Sequence, residues 1–311
     1  MRIVLIKAAS IAIAGALLIG CGSGSEKGSE DDSPAETPSS QQVFPTPTPA
    51  GDIDNLDLSS KPVVVIPSTP PPSDLEIEDL VTGNGDFVKS GDFLIMDYVG
   101  VSYSTGLQFD ASWDRGSPFP FELGAGRVIQ GWEQGIVGMA VGGRRILTIP
   151  PSLGYGEGGS GSGSIGPNET LVFVVDLIAV VPSDLEKPNE EVTGEAVQEL
   201  QIDDTIRGSG AAVELGNVVY IHYVGVSAST GEQFDSSWDR GRSEFIGYIS
   251  GAGNVIEGLD QGVLGMQVGG RRTIVIPPDL AYGENGAGNG LIASNETLVF
   301  IVDLLGTHPV R

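Results

Sequence analysis

The later part of this chain repeats an earlier part. Tyr98-Val99-Gly100-Val101-Ser102 returns as Tyr223-Val224-Gly225-Val226-Ser227, 125 residues on, and Phe109-Asp110 returns as Phe234-Asp235 at the same offset. From Gly124 the offset becomes 127, and over residues 124–156 the two copies agree at 21 of 33 positions. The run Asn-Glu-Thr-Leu-Val-Phe begins at Asn168 and again at Asn295. An insertion of two residues near Phe245 accounts for the change of offset. Solenoid repeats have periods of roughly 20–50 residues and cannot bury a core alone. A period this long therefore requires two complete domains, which the length of 311 residues also supports.

Each copy reads mostly as strand. Residues 93–103, 144–149 and 171–181 are rich in β-branched and aromatic side chains, and Gly and Pro punctuate them. Val128, Ile129, Trp132 and Ile136 recur at helical spacing, which predicts a short helix within 128–138. Several antiparallel strands with one short helix make an α+β domain. The first domain is placed at 74–183, with its core at 91–182. A linker and second domain follow at 184–311, with the core at 216–309. The connection at 182–195 is acidic and polar, as expected of a hinge.

The N-terminal stretch is built differently. Arg2 and Lys7 precede an apolar run that is short for a membrane-spanning helix. Leu18-Ile19-Gly20-Cys21 resembles the lipobox of bacterial lipoproteins. The resemblance implies a signal peptide over 1–20 and a diacylglycerol thioether on Cys21, the one cysteine of the chain. Two acyl chains suffice for stable anchoring. Residues 22–73 hold ten of the 20 prolines and one aromatic, Phe44, so 21–73 is expected to be a disordered tether. Val63 to Ile66 could form a strand but has no evident pairing partner.

Composition narrows the chemistry. The formal net charge of −25 argues against nucleic acid, whose phosphates need lysine and arginine. One cysteine and two histidines leave little for a metal centre, so no metal and no cofactor is expected. Gly161, Gly163 and Gly166 fit a dinucleotide pattern by letter but precede a strand rather than a helix. His222 and His308 have no partner visible in the sequence. The Arg144-Arg145 and Arg271-Arg272 pairs look structural. Trp113 and Trp238, in Ser-Trp-Asp-Arg, read either as rim contacts or as loop anchors.

Tyr98, Phe109-Asp110, Val128-Ile129, Trp132, Tyr155-Gly156 and Leu171-Val172-Phe173 resemble the signature of FKBP-type peptidyl-prolyl cis-trans isomerases. The resemblance spans about 76–181 and again about 199–308. It implies a curved antiparallel sheet wrapped around a short helix, with an aromatic pocket between them. By the same resemblance, Trp132 forms the floor under a prolyl ring, and Tyr98, Phe109, Phe119 and Phe173 form the walls. Val128 and Ile129 lie along one side, with the Ile129 N–H holding a substrate carbonyl. Asp110 and Tyr155 are the polar members, and 156–167 is the flap. Ser164 and Ile165 stand where the family often has two apolar residues.

The second pocket maps onto Tyr223, Phe234, Asp235, Val255, Ile256, Tyr282, Leu291, Ile292 and Phe300. Phe245 is a looser match to Phe119, and Leu259 stands where the first copy has Trp132. The implied partners are proline-containing polypeptides and macrolide inhibitors, with the membrane reached through Cys21. The implied activity is isomerisation of X–Pro bonds in exported or envelope proteins. A peptide-binding or chaperone role with little turnover is the alternative, above all for the second domain. A surface protein using the domains for adhesion is a third reading.

Overall fold

The computed structural model describes residues 57–189 and 196–310. The expected signal segment, Cys21 and the tether up to residue 56 lie outside the described residues. The first domain comprises β1 (Glu76–Val81), β2 (Phe93–Ser102), β3 (Gln108–Ala111), α1 (Ser112–Arg115), β4 (Phe119–Glu122), α2 (Gln130–Gly135), β5 (Arg144–Ile149) and β6 (Leu171–Val181). The second comprises β7 (Gln201–Ile206), β8 (Asn217–Ser227), β9 (Gln233–Ser236), β10 (Ile246–Ile249), α3 (Glu257–Gly262), β11 (Arg271–Ile276) and β12 (Leu298–Pro309). All strand pairings are antiparallel.

β6 is the central strand of its domain, between β2 and β5. Its eleven residues are all buried, and its sequence is an unbroken apolar run except for Asp176, as expected of a strand covered on both faces. β2 divides its side chains between the faces. Leu94, Met96 and Tyr98 enter the main core with Trp132, while Val99 and Val101 enter a separate cluster on the other side. α2 lies on the first face. It is shorter than the spacing predicts: Val128 and Ile129 precede it, and Ile129 is its extended N-cap.

The opposite face is covered by chain that composition assigns to the tether. Within 57–73 there is no strand, but Pro62 is buried, and Val64 and Ile66 pack against Val99, Val101, Ala111 and Trp113. Arg144 is fully buried against Asp176 (Nε–Oδ1 2.5 Å) and donates to the carbonyls of Asp57 and Ser60. Lys61 pairs with Asp114 at 2.5 Å. The second domain repeats this strap with the 182–189 connection. Pro188 is buried, Lys187 pairs with Asp239 at 2.8 Å, and Arg271 donates to the Glu186 carbonyl at 2.8 Å. The described part of the expected hinge is thus fastened to the domain that follows it.

The two sheets join. Gly306 of β12 bridges Ala179 of β6, beside a register shift in each strand. Ile178 and Leu305 pack together in one cluster with Ile95 and Val181, against Phe93, Leu185, Tyr220 and Phe245. A Cβ on Gly306 would lie 2.4 Å from the Ile178 carbonyl oxygen, so only glycine allows the strands to approach this closely.

Candidate active site

In the first domain a cavity of about 650 Å³ opens between α2 and the sheet. It gathers every residue proposed for this pocket from sequence: Tyr98, Phe109, Asp110, Phe119, Val128, Ile129, Trp132, Tyr155 and Phe173. Arg127, Ser160, Ser162, Ser164 and Ile165 complete the walls and mouth with Gly126. Trp132 is only 4% exposed. It meets Tyr98 at 5.2 Å (85°) and Phe173 at 5.3 Å (83°), and Phe109 meets Phe173 at 5.4 Å (82°). These edge-to-face contacts are the arrangement that ring quadrupoles favour. They leave a rigid apolar box with its floor held from below by Phe121, 5.7 Å from Trp132.

Polar groups stand at one edge of the box. The Tyr98 hydroxyl donates to Asp110 Oδ2 at 2.5 Å and accepts from Arg115 Nη2 at 2.8 Å. Arg115 also pairs with Asp110 Oδ1, and its guanidinium lies 5.4 Å from the Tyr98 ring centre. Burial, with the Asp110 hydrogen bond second, pushes the Tyr98 phenol up to about 12. The phenol therefore stays protonated and committed to this network. Tyr155 differs. Its hydroxyl has no hydrogen bond among the described residues, it is 42% exposed, and burial of the ring raises its pKa. The Ile129 N–H is likewise without a backbone partner there. Both residues line the cavity, so these two donors remain available there.

Sequence reading did not include Arg115 in the site. Its only signal is the repetition of Ser-Trp-Asp-Arg at Arg115 and Arg240, five residues after each paired aspartate. Trp113 is no rim contact: it lies on the far face of the sheet, under the strap. Trp238 stacks on His222 at 4.1 Å. His222, which the sequence leaves without a partner, is fully held. Its Nδ1 lies 2.8 Å from Ser237 Oγ, and its Nε2 donates to the Arg242 carbonyl at 2.9 Å.

The second domain keeps the polar edge. Tyr223 donates to Asp235 at 2.5 Å, and Arg240 pairs with Asp235 at 2.7 Å. Phe300 meets Tyr223 at 5.9 Å and Phe234 at 5.6 Å. Val255 and Ile256 pack on the core at the start of α3, with Leu259 buried. Tyr282 and Leu291 are exposed, whereas Ile292 is buried. Phe245 does not replace Phe119. Phe119 pairs with Met96, and the register-equivalent residue pairing with Ile221 is Ile246. Phe245 points instead to Phe93 of the first domain, ring centres 6.1 Å apart. Tyr248 takes the place of Phe121, with its hydroxyl buried and without a hydrogen-bond partner.

A curved antiparallel sheet with a short helix against it is present twice, and in the first copy an aromatic box lies between them, the combination that defines a prolyl isomerase domain. The family profile described as FKBP-type peptidyl-prolyl cis-trans isomerase matches residues 85–178 and 210–305, and the chain belongs to that family. An FK506-binding protein of Streptomyces anulatus is 55% identical over 120 residues, 39% of this chain and 97% of that protein. Peptidyl-prolyl cis-trans isomerase FKBP9 of Rattus norvegicus is 40% identical over 71% of this chain. The human FKBP10 isomerase is equally similar over the same share. This chain spans only about a third of the length of those two mammalian relatives, 36% and 35%.

Proposed function

We propose that this isomerase works outside the cytoplasm, tethered to the membrane by a lipidated Cys21, on X–Pro bonds of exported or envelope polypeptides. We further propose that the first domain carries most of the turnover. The observation that carries this ranking is the Trp132 floor, replaced by Leu259 in the second copy.

An X–Pro amide resists rotation by about 18–20 kcal/mol because resonance makes its C–N bond partly double. The twisted transition state has lost that resonance and is less polar than the planar amide. A dry aromatic box around the prolyl ring therefore favours the twisted form over the planar one, relative to water. The Ile129 N–H and the Tyr155 hydroxyl hold flanking carbonyls. Each tenfold acceleration needs about 1.4 kcal/mol. No covalent step is required. The Tyr98–Asp110–Arg115 network keeps one wall in place and sets the local field.

The second pocket favours a different balance. Leu259 and Ile246 remove two aromatic faces, which supports peptide binding with little turnover. Macrolide inhibitors would compete for the first cavity, weakened by a flap that presents serine hydroxyls.

Isomerase assays on the full chain and its Trp132→Ala, Phe109→Ala and Asp110→Ala variants test the activity. The parent should be active and each variant slower; an inactive parent overturns the assignment. Cys21→Ala should abolish incorporation of labelled fatty acid and release the protein from membranes. A Cys21→Ala protein still sedimenting with membranes counts against the anchor.

A further inference from the structure

Almost every cation of the described chain is committed. Of the twelve lysines and arginines between residues 57 and 310, ten make an ion pair or a hydrogen bond. Arg207 stands close enough to Asp204 to help lower its carboxyl pKa. Arg127 alone among the described residues has no charged or hydrogen-bonded partner, and it is an exposed member of the first cavity's lining. The acid nearest in sequence on α2, Glu133, is already engaged with the Gly124 and Gly126 N–H groups. Asp110, the one acid lining the cavity, is held by Arg115.

Across the mouth, Ser160, Ser162 and Ser164 line the same cavity. The Ser162 and Ser164 hydroxyl oxygens lie 2.8 Å apart, and Ser160 lies 3.3 Å from each. In the second copy, 127 residues on, these four positions are Asn254, Ala287, Asn289 and Leu291. The flaps have equal length but not the same backbone, since Gly288–Gly290 forms a 3-10 turn with Asn289 at a φ of 55° and Gly161 and Ser162 do not follow it. One mouth carries a free guanidinium and a cluster of hydroxyls. The other carries no cation and an exposed leucine.

We infer that Arg127 makes the first domain select X–Pro segments that bear a carboxylate side chain beside the proline. A guanidinium fork matches a carboxylate in geometry as well as charge. This deepens, and rests on, the isomerase reading of the same cavity. The rest of the protein is strongly acidic, so its long-range field repels such a client, and the preference is a local contact at the mouth.

The test uses the full chain and proline peptides with Glu, Gln or Lys scanned through three positions on either side of the proline. Exchange NMR measures turnover without a coupling protease, at one ionic strength throughout. At one or more positions kcat/KM for Glu should exceed that for Gln by about two- to fivefold, the range of an exposed ion pair, with Lys below both. Arg127→Asn should bring the ratio close to one, and Arg127→Glu should turn it towards Lys. A Glu/Gln ratio of one or less at every position, or one that Arg127→Asn leaves unchanged, overturns the inference. If no peptide is turned over, the isomerase reading fails instead. The same ratios measured as affinities by titration calorimetry then decide the role of Arg127 separately.

Discussion

A methyl group on Gly100 would lie 2.7 Å from both Phe109 Cζ and Phe173 Cε1. The smallest residue of β2 thus sets how closely two walls of the cavity pack on the sheet. Gly100→Ala should cost about 1–3 kcal/mol by overpacking and should lower isomerase activity, read by denaturant unfolding and NMR exchange together. Arg115→Ala removes two hydrogen bonds, to Tyr98 and Asp110, the second of them an ion pair, while leaving the rings in place. It should reduce kcat/KM about three- to tenfold with little change in stability, because the pair is half exposed. Most of this site could be read through its resemblance to the FKBP signature, because buried aromatics by themselves read as core filling. Arg115 could not, because its contact with Asp110 depends on the turn through α1. Ile246 was hidden for another reason: the two-residue insertion lets a phenylalanine stand beside the correct register position and draw the assignment to itself.

At the scale of elements, the strands of the centre were legible and those of the edges were not. β2 and β6 are mostly apolar because both their faces are covered, and β5 carries the run Ile-Leu-Thr-Ile after its two arginines. β1 and β7 lie at the two ends of the sheet path, and their sequences, Glu-Ile-Glu-Asp-Leu-Val and Gln-Ile-Asp-Asp-Thr-Ile, are mostly exposed and acidic. Polar edge strands carry little strand signal. The straps were missed because proline-rich composition reads as solvated chain, whereas Pro62, Val64 and Ile66 find a ready apolar face. Val64→Ser with Ile66→Ser should lower the midpoint of the thermal transition that the two domains share, as calorimetry would show; an unchanged midpoint would mean that the strap adds no stability. His222 fastens the loop that carries Arg242. Burial lowers its pKa from 6.5 to about 4, with Arg240 and Arg242 acting in the same direction. The folded state then binds fewer protons than the unfolded one between those values. This contribution to stability is complete above pH 6.5 and is lost as pH falls towards 4. His222→Asn should flatten that part of the stability–pH curve; an unchanged slope would assign it to other groups.

At the scale of the whole molecule, the two domains are coupled by more than a linker. Ala179 faces Gly306, Ile178 packs with Leu305, Phe93 meets Phe245, and Arg242 donates to the Ser183 carbonyl. Gly306→Val should force the sheets apart and separate one calorimetric transition into two. A single transition in that variant would show that the junction does not transmit stability. Ile178 and Leu305 are equivalent positions of the two copies, 127 residues apart, as are Ala179 and Gly306. The junction therefore has approximate twofold character, with each copy offering the same patch to the other. A contact of that kind has a valence of one: once the copies meet, neither patch is left to recruit another molecule. The fusion of the two domains thus turns a surface that could join separate chains into an internal seam, and what remains at both ends of the sheet is an acidic border that repels its own kind.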